Sequence, residues 1–216
     1  MITVHLRADS AGLSEGTLEV IRQIATATEA EVRTVLPSLP SEVALHVRHG
    51  SRYIPETNEL GASVAPGLIW WTVNTAQVAN ASSLARESLR RTLFHELHHQ
   101  ARGWVMRGGS PKQAFIDGPV SEGLATAFER DAAHWHPPWG AYPEQEIAVG
   151  WVHELLRLPT NADYRQWMFM HADGRRWIGY RAGTFIADRA MKAGAVSAAD
   201  LVRTPASEIL ALAGFG

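Results

Sequence analysis

The spacing of apolar positions changes about a third of the way along the chain. Residues 2–6 alternate and read as a short strand. Ser14 stands where a helix N-cap belongs, ahead of Leu18, Ile21, Ile24 and Ala25 at helical spacing. The helix this predicts runs to about Val35, and Pro37 and Pro40 close it. Residues 43–48 form a second candidate strand. Residues 60–64 and 68–73 are two more, parted by a turn at Pro66-Gly67. From Ser82 onward the period is helical, and helices are expected near 83–102, 119–133, 144–156, 161–170, 178–193 and 197–212. Gly108-Gly109-Ser110-Pro111 breaks the chain between two of them, and residues 135–143 form a stiff aromatic connector. The pattern predicts one α+β domain over residues 1–216, with a small sheet-bearing part over about 1–80 and a helical part over 81–216.

Composition narrows the chemistry. A chain of 216 residues, 46% hydrophobic, is long enough for a substantial core. Twenty basic residues against 22 acidic ones leave a net charge of −2, so there is no basic excess for neutralising phosphates, and nucleic acid is not an expected partner. There is no cysteine, which excludes disulfides, thiol nucleophiles, iron–sulfur clusters and Cys-ligated zinc. Any metal must be held by His, Asp or Glu. The N-terminus lacks a signal-peptide pattern and no apolar stretch approaches a membrane span, so the expected location is the cytoplasm, with no membrane partner.

His95-Glu96-Leu97-His98-His99 fits H-E-x-x-H. Residues four apart project from one face of a helix, so two imidazoles can meet one ion. Glu96 is turned about 100° from His95, close enough to act on water at that ion without ligating it. With ten His in the chain, the pattern arises by chance in roughly 3% of such sequences, which favours chemistry over coincidence. On a helical projection Ser88, Thr92, His95 and His99 share one stripe and Leu89, Leu93 and Leu97 another, as in a helix buried on two sides.

A catalytic zinc usually takes three protein ligands. Arg102 and Val105 stand where a metzincin continuation needs Gly and His. Downstream, Glu122 sits beside small residues near the start of a helix behind Pro119, the pattern of a gluzincin third ligand. The plainer alternative is a carboxylate favoured by the helix N-terminus.

Three segments, Thr92-Leu-Phe-His-Glu-Leu-His-His, Val-Ser-Glu122-Gly-Leu-Ala and Trp177-Ile-Gly-Tyr180-Arg-Ala-Gly183, resemble a bacterial family of predicted zinc-dependent proteases, DUF2268, over most of the chain. The Glu122 segment is also similar to the third-ligand segment of gluzincin aminopeptidases. The resemblance implies a zincin-like fold, zinc on His95, His99 and Glu122, and Glu96 as general base. Thr126 occupies the place where thermolysin-type gluzincins often carry an Asp that orients a His ligand. Glu129, on the same helix face, is the candidate for that task.

The expected function is zinc-dependent hydrolysis of peptide bonds. Zinc acidifies water and polarises the carbonyl, while Glu96 takes a proton from the water and returns it to the leaving amine. Tyr180 is the first candidate for stabilising the oxyanion, His171 the second and Tyr164 the third. Peptide or protein is the expected partner. Residues 60–64 or 68–73 would hold it by strand addition. The alternative is a zinc-binding regulatory module, non-catalytic or dedicated to one partner. His98 reads as a packing or surface residue, as do Trp70 and Trp71 for the sheet. Trp135 and Trp139 are candidates for a cleft, and His134 with His136, Asp117 and Asp188 are reserve metal ligands. Gly12-Leu-Ser14-Glu-Gly16 matches a nucleophile elbow, but only one short strand precedes it, and an N-cap explains Ser14.

Overall fold

The N-cap at Ser14 forms as its sequence predicts. Its Oγ accepts the backbone N–H of Thr17 at 3.2 Å and starts helix α1 (Glu15–Val35). The structure is a computed structural model, describing residues 1–6, 13–109 and 112–216. Gly12 of the elbow-like motif, and Ser110 and Pro111 of the inter-helix break, lie outside the described residues. The chain divides into two compact units, Met1–Ser110 and Pro111–Gly216.

The first unit carries a four-stranded sheet of β1 (Ile2–Leu6), β2 (Val43–Gly50), β3 (Glu59–Ala65) and β4 (Leu68–Asn74), in the order β1-β2-β4-β3. β1, β2 and β4 run parallel, and β3 is antiparallel to β4. The β1–α1–β2 crossover explains the parallel pair, and the tight turn at Pro66-Gly67, with Gly67 at φ 71°, explains the antiparallel one. A small mixed sheet followed by helices is the α+β arrangement the sequence predicts. Leu45, Val47, Ile69, Trp71 and Val73 are buried on one face of the sheet. With Leu18, Ile21, Ala25 and Val32 of α1 they form the core of this unit. Trp70 points to the other face, half-buried, with the Arg48 guanidinium 4.2 Å from its ring centre.

The predicted helix over 83–102 is interrupted. A short α2 (Ala81–Leu84) passes through a π-helical turn at Ala85–Leu89 into α3 (Arg90–Arg102). The wide turn changes the angular phase between the residues before it and α3, so Ser88 leaves the stripe that a regular helix would give it. Its hydroxyl instead donates to the carbonyl of Leu84 at 2.9 Å. α3 ends at Gly103 (φ 78°), where Trp104 N–H returns to the carbonyl of His99 at 2.9 Å in a Schellman turn.

The second unit is helical: α4 (Asp117–Ala133), α5 (Gln145–Leu156), α6 (Tyr164–Met168), α7 (Ile178–Gly194) and α8 (Ala206–Ala213). Two predicted helices are shorter than expected. Asp163 Oδ1 caps α6 by accepting the N–H groups of Arg165 and Gln166 at 2.9 and 3.3 Å, and the helix ends after one turn. In place of a helix over 197–212, Ser197 and Asp200 close a turn on each other. Pro205, which can neither donate nor extend a preceding helix, stands immediately before α8.

α4 and α7 are the closest-packed pair of this unit, and glycine makes the approach possible. A Cβ on Gly183 would overlap the carbonyl oxygen of Pro119, and one on Gly123 would overlap the backbone of Gly183. Gly183→Ala is expected to destabilise the protein by about 3 kcal/mol through overpacking against backbone. Urea unfolding followed by tryptophan fluorescence measures this, and a loss below about 1 kcal/mol would contradict the packing described.

Candidate metal centre

His95 and His99 lie one turn apart on α3, both buried, with their Nε2 atoms 3.1 Å from each other and their rings 79° apart. The separation suits a shared ion. Two nitrogens bound to one tetrahedral zinc at about 2.0–2.1 Å stand about 3.3 Å apart. His95, His99 and Glu122 form a group able to hold a metal ion, each offering a ligand atom within 4.8 Å of the others. Two imidazoles and a carboxylate, with no thiolate in the chain, form a donor set suited to Zn²⁺. This is the only such group of three or more among the described residues. His134 and His136 therefore gather no metal-binding cluster there.

A polar row one position along from the histidines fixes α3 to β3 and the β3–β4 turn. Thr92 Oγ1 donates to the buried carboxylate of Glu59, 3.1 Å from each oxygen, and Trp71 Nε1 donates to the same carboxylate at 2.8 Å. Glu96, the next residue of the row, lies against β3, with Ser63 Oγ 2.8 Å from its Oε2 and 3.0 Å from its backbone oxygen. Gln100 completes it. Its amide donates to the carbonyls of Ala65 and Leu68 at 3.1 and 3.2 Å, and its oxygen accepts Gly67 N–H at 2.8 Å. The buried side chains of Thr92, Glu96 and Gln100 are thus satisfied by β3 and the turn beside it. Among the leucines expected on the other stripe, Leu89, Leu93 and Leu97 are fully buried. His98 is fully buried as well.

Glu122 and Glu129 are both buried on α4, at 9% and 2% exposure, two turns apart on one face. The Tyr164 hydroxyl donates to Glu122 Oε1 at 3.4 Å. Burial of the phenol and the adjacent Glu122 carboxylate push Tyr164 well above the ordinary tyrosine range. Of the tyrosines weighed from sequence, Tyr164, ranked last, is the one with this hydrogen bond to Glu122. Tyr180 packs in an aromatic cluster, its ring 5.6 Å from Trp177 and 6.1 Å from Phe169. His171 sits in the turn after α6, its Nδ1 2.8 Å from Asp173 and its ring 4.5 Å from Trp167. The backbone N–H of Arg175, with His171 and the Arg175 side chain adding to it, holds the Asp173 carboxyl down to about 2.

The remaining candidates have structural partners. Asp188 pairs with Arg130 at 2.9 Å and accepts the Tyr142 hydroxyl at 2.9 Å, while burial and that carboxylate push Tyr142 up to about 12. Asp117 accepts the N–H groups of Gln113 and Ala114 at 2.7 and 3.0 Å at the start of α4. Trp139 is buried, with Trp135 and Trp177 edge-on or tilted against it at 5.5 and 6.0 Å.

Sequence reasoning did not single out Ser63, Gly61, Glu59 or Gln100. The only signal was the small and polar run of alternate β3 residues Glu59, Gly61 and Ser63. Nothing in the spacing said that a helix 33 residues later would meet them.

A family model described as predicted Zn-dependent protease, DUF2268, matches residues 14–211, and the chain belongs to that family. No curated protein and no solved structure matches it. No helix among the described residues is long and apolar enough to cross a membrane.

Tyr164 is expected to stay a protonated donor well past pH 10, where a solvated tyrosine ionises. The ultraviolet difference spectrum between the wild type and Tyr164→Phe tests this. A phenolate belonging to Tyr164 that appears at about pH 10 in folded protein would contradict it.

Proposed function

We propose that the protein is a gluzincin-type zinc metallopeptidase, with His95, His99 and Glu122 holding zinc and Glu96 acting as the general base. The observation that carries the reading is the convergence of ligand atoms from those three residues, with Glu96 next to the first of them on α3. The family description supports the same chemistry, and its match extends over both units, which favours reading residues 1–216 as one metallopeptidase domain. Zinc would supply a Lewis acid that acidifies water and polarises the scissile carbonyl. Glu96 takes the proton of the attacking water and returns it to the leaving amine. Glu129 is the carboxylate proposed to orient a ligating imidazole. Tyr180 and His171 remain the proposed oxyanion donors, and Tyr164 restrains the Glu122 carboxylate through its hydroxyl.

Peptide or protein is the proposed substrate. β4 lies inside the sheet, so of the two strands considered for strand addition only β3 has an edge to offer. Much of that edge is already used. Ile54 N–H takes the Glu59 carbonyl at 2.9 Å, and Met106 and Arg107 N–H take those of Ser63 and Val64 at 3.0 and 2.9 Å. Alternate residues of a strand turn their backbone groups the same way, so Gly61, between Glu59 and Ser63, directs its N–H and carbonyl outward. An extended substrate would pair with β3 there, beside Glu96.

Glu96→Gln is expected to lower peptide hydrolysis by about 10²- to 10⁴-fold while leaving zinc content unchanged. A peptide-library digest with mass-spectrometric readout, run beside metal analysis, measures both. Full activity in Glu96→Gln would remove the base from the mechanism. A zinc-loaded wild type that cleaves nothing would favour the regulatory module instead.

A further inference from the structure

The Glu96 carboxylate is enclosed on β3 by two residues that no spacing rule names. Both Glu96 and Ser63 are 6% exposed, so their contact is shielded from water. Ser63 Oγ has a single proton and two acceptors within reach, Oε2 at 2.8 Å and the backbone oxygen of the same residue at 3.0 Å. That backbone oxygen also lies in the helical ladder of α3. Oε2 is the nearer acceptor and the backbone oxygen is already engaged in the helix, so the proton belongs on Oε2. The other oxygen, Oε1, lies over Gly61. A Cβ at Gly61 would come within 2.8 Å of Oε1, 2.8 Å of Glu96 Cγ and 2.6 Å of Thr92 Cγ2. The carboxylate therefore fits only because position 61 lacks a side chain, and it is oriented by the hydroxyl two residues further on.

We infer that Ser63 is the positioning residue for the general base: it commits Oε2 of Glu96 to a fixed hydrogen bond and leaves Oε1, above Gly61, as the oxygen that takes and returns the proton. The assignment rests on the metallopeptidase reading for its catalytic meaning, but the restraint itself concerns only this chain's residues. A carboxylate swinging between rotamers would spend part of its time out of reach of the water, and a misplacement of about 1 Å is enough to cost a large factor in rate. Thr92, anchored on Glu59, and Gln100, anchored on the β3–β4 turn, hold the helix itself in place. Removing the Ser63 hydroxyl should therefore free the Glu96 side chain without moving α3.

The test compares wild type, Ser63→Ala and Ser63→Thr, each purified with its metal, by zinc content, by steady-state kinetics on a cleaved peptide and by crystal structure. Ser63→Ala is expected to keep one zinc per chain and a KM within about twofold, while kcat falls about tenfold, the scale of one hydrogen bond to a charged group. Ser63→Thr, which retains the hydroxyl, is expected to recover most of that loss. In the Ser63→Ala crystal structure the carboxylate should leave its place beside position 63 or split between rotamers. An unchanged kcat in Ser63→Ala would overturn the assignment, as would a loss that comes with loss of zinc. If the wild type cleaves no peptide, the functional reading falls by itself and the crystal structures decide the restraint. A Glu96 carboxylate unmoved in Ser63→Ala overturns it, and a displaced one upholds it.

Discussion

The geometry of the first unit depends on the hydrogen-bonded row that binds one face of α3 to β3 and the turn after it. Thr92, Glu96 and Gln100 recur every fourth residue and meet Glu59, Ser63 and the backbone of residues 65–68. A helix packed only through leucines could rotate or slide by a fraction of a turn at modest cost. One whose buried carboxylate, amide and hydroxyl each require a partner cannot, because each unmet group costs about 1–3 kcal/mol. The neighbouring row carries His95 and His99, so fixing the first row fixes the direction in which the imidazoles point.

A different constraint acts in the second unit. There Gly123, directly after Glu122, and Gly183 let α4 and α7 meet backbone to backbone. Close contact of that kind leaves little freedom for the α4 backbone at Glu122, and Tyr164 restrains its side chain. The Trp177–Gly183 segment, which from sequence suggested an oxyanion donor at Tyr180, carries one part of its signal in this packing. Gly183 is there for its missing Cβ, and Gly179 similarly faces Met168.

What the sequence disclosed was what is local. The H-E-x-x-H pair, the cap at Ser14, the turn at Pro66-Gly67 and the strands all follow from spacings of a few residues, and the structure shows each near its expected bounds. Glu122 was a candidate from sequence because it stands beside small residues on the helix that follows the histidine pair, and it is one of the three residues that could hold a metal ion. The π-helical turn before α3 was hidden, because residues 85–89 have ordinary helical character and only the phase of the histidines against the core distinguishes the two. The partners of Thr92, Glu96 and Gln100 were hidden for another reason. They lie 32 to 35 residues away, on β3, the turn after it and the start of β4, and the pattern of β3 says only that alternate positions are small or polar. The breaks at Asp163 and Pro205 were visible as residues but outweighed by helical period on either side.

The most direct test of the central claim is X-ray absorption at the zinc edge on protein purified without added metal, compared with His95→Ala. The account predicts about one zinc per chain, with light-atom ligands at about 2.0–2.1 Å that include two imidazoles, and loss of the bound metal or of one imidazole in the variant. Absence of zinc from the wild type even after reconstitution, or a spectrum unchanged by His95→Ala, would contradict it.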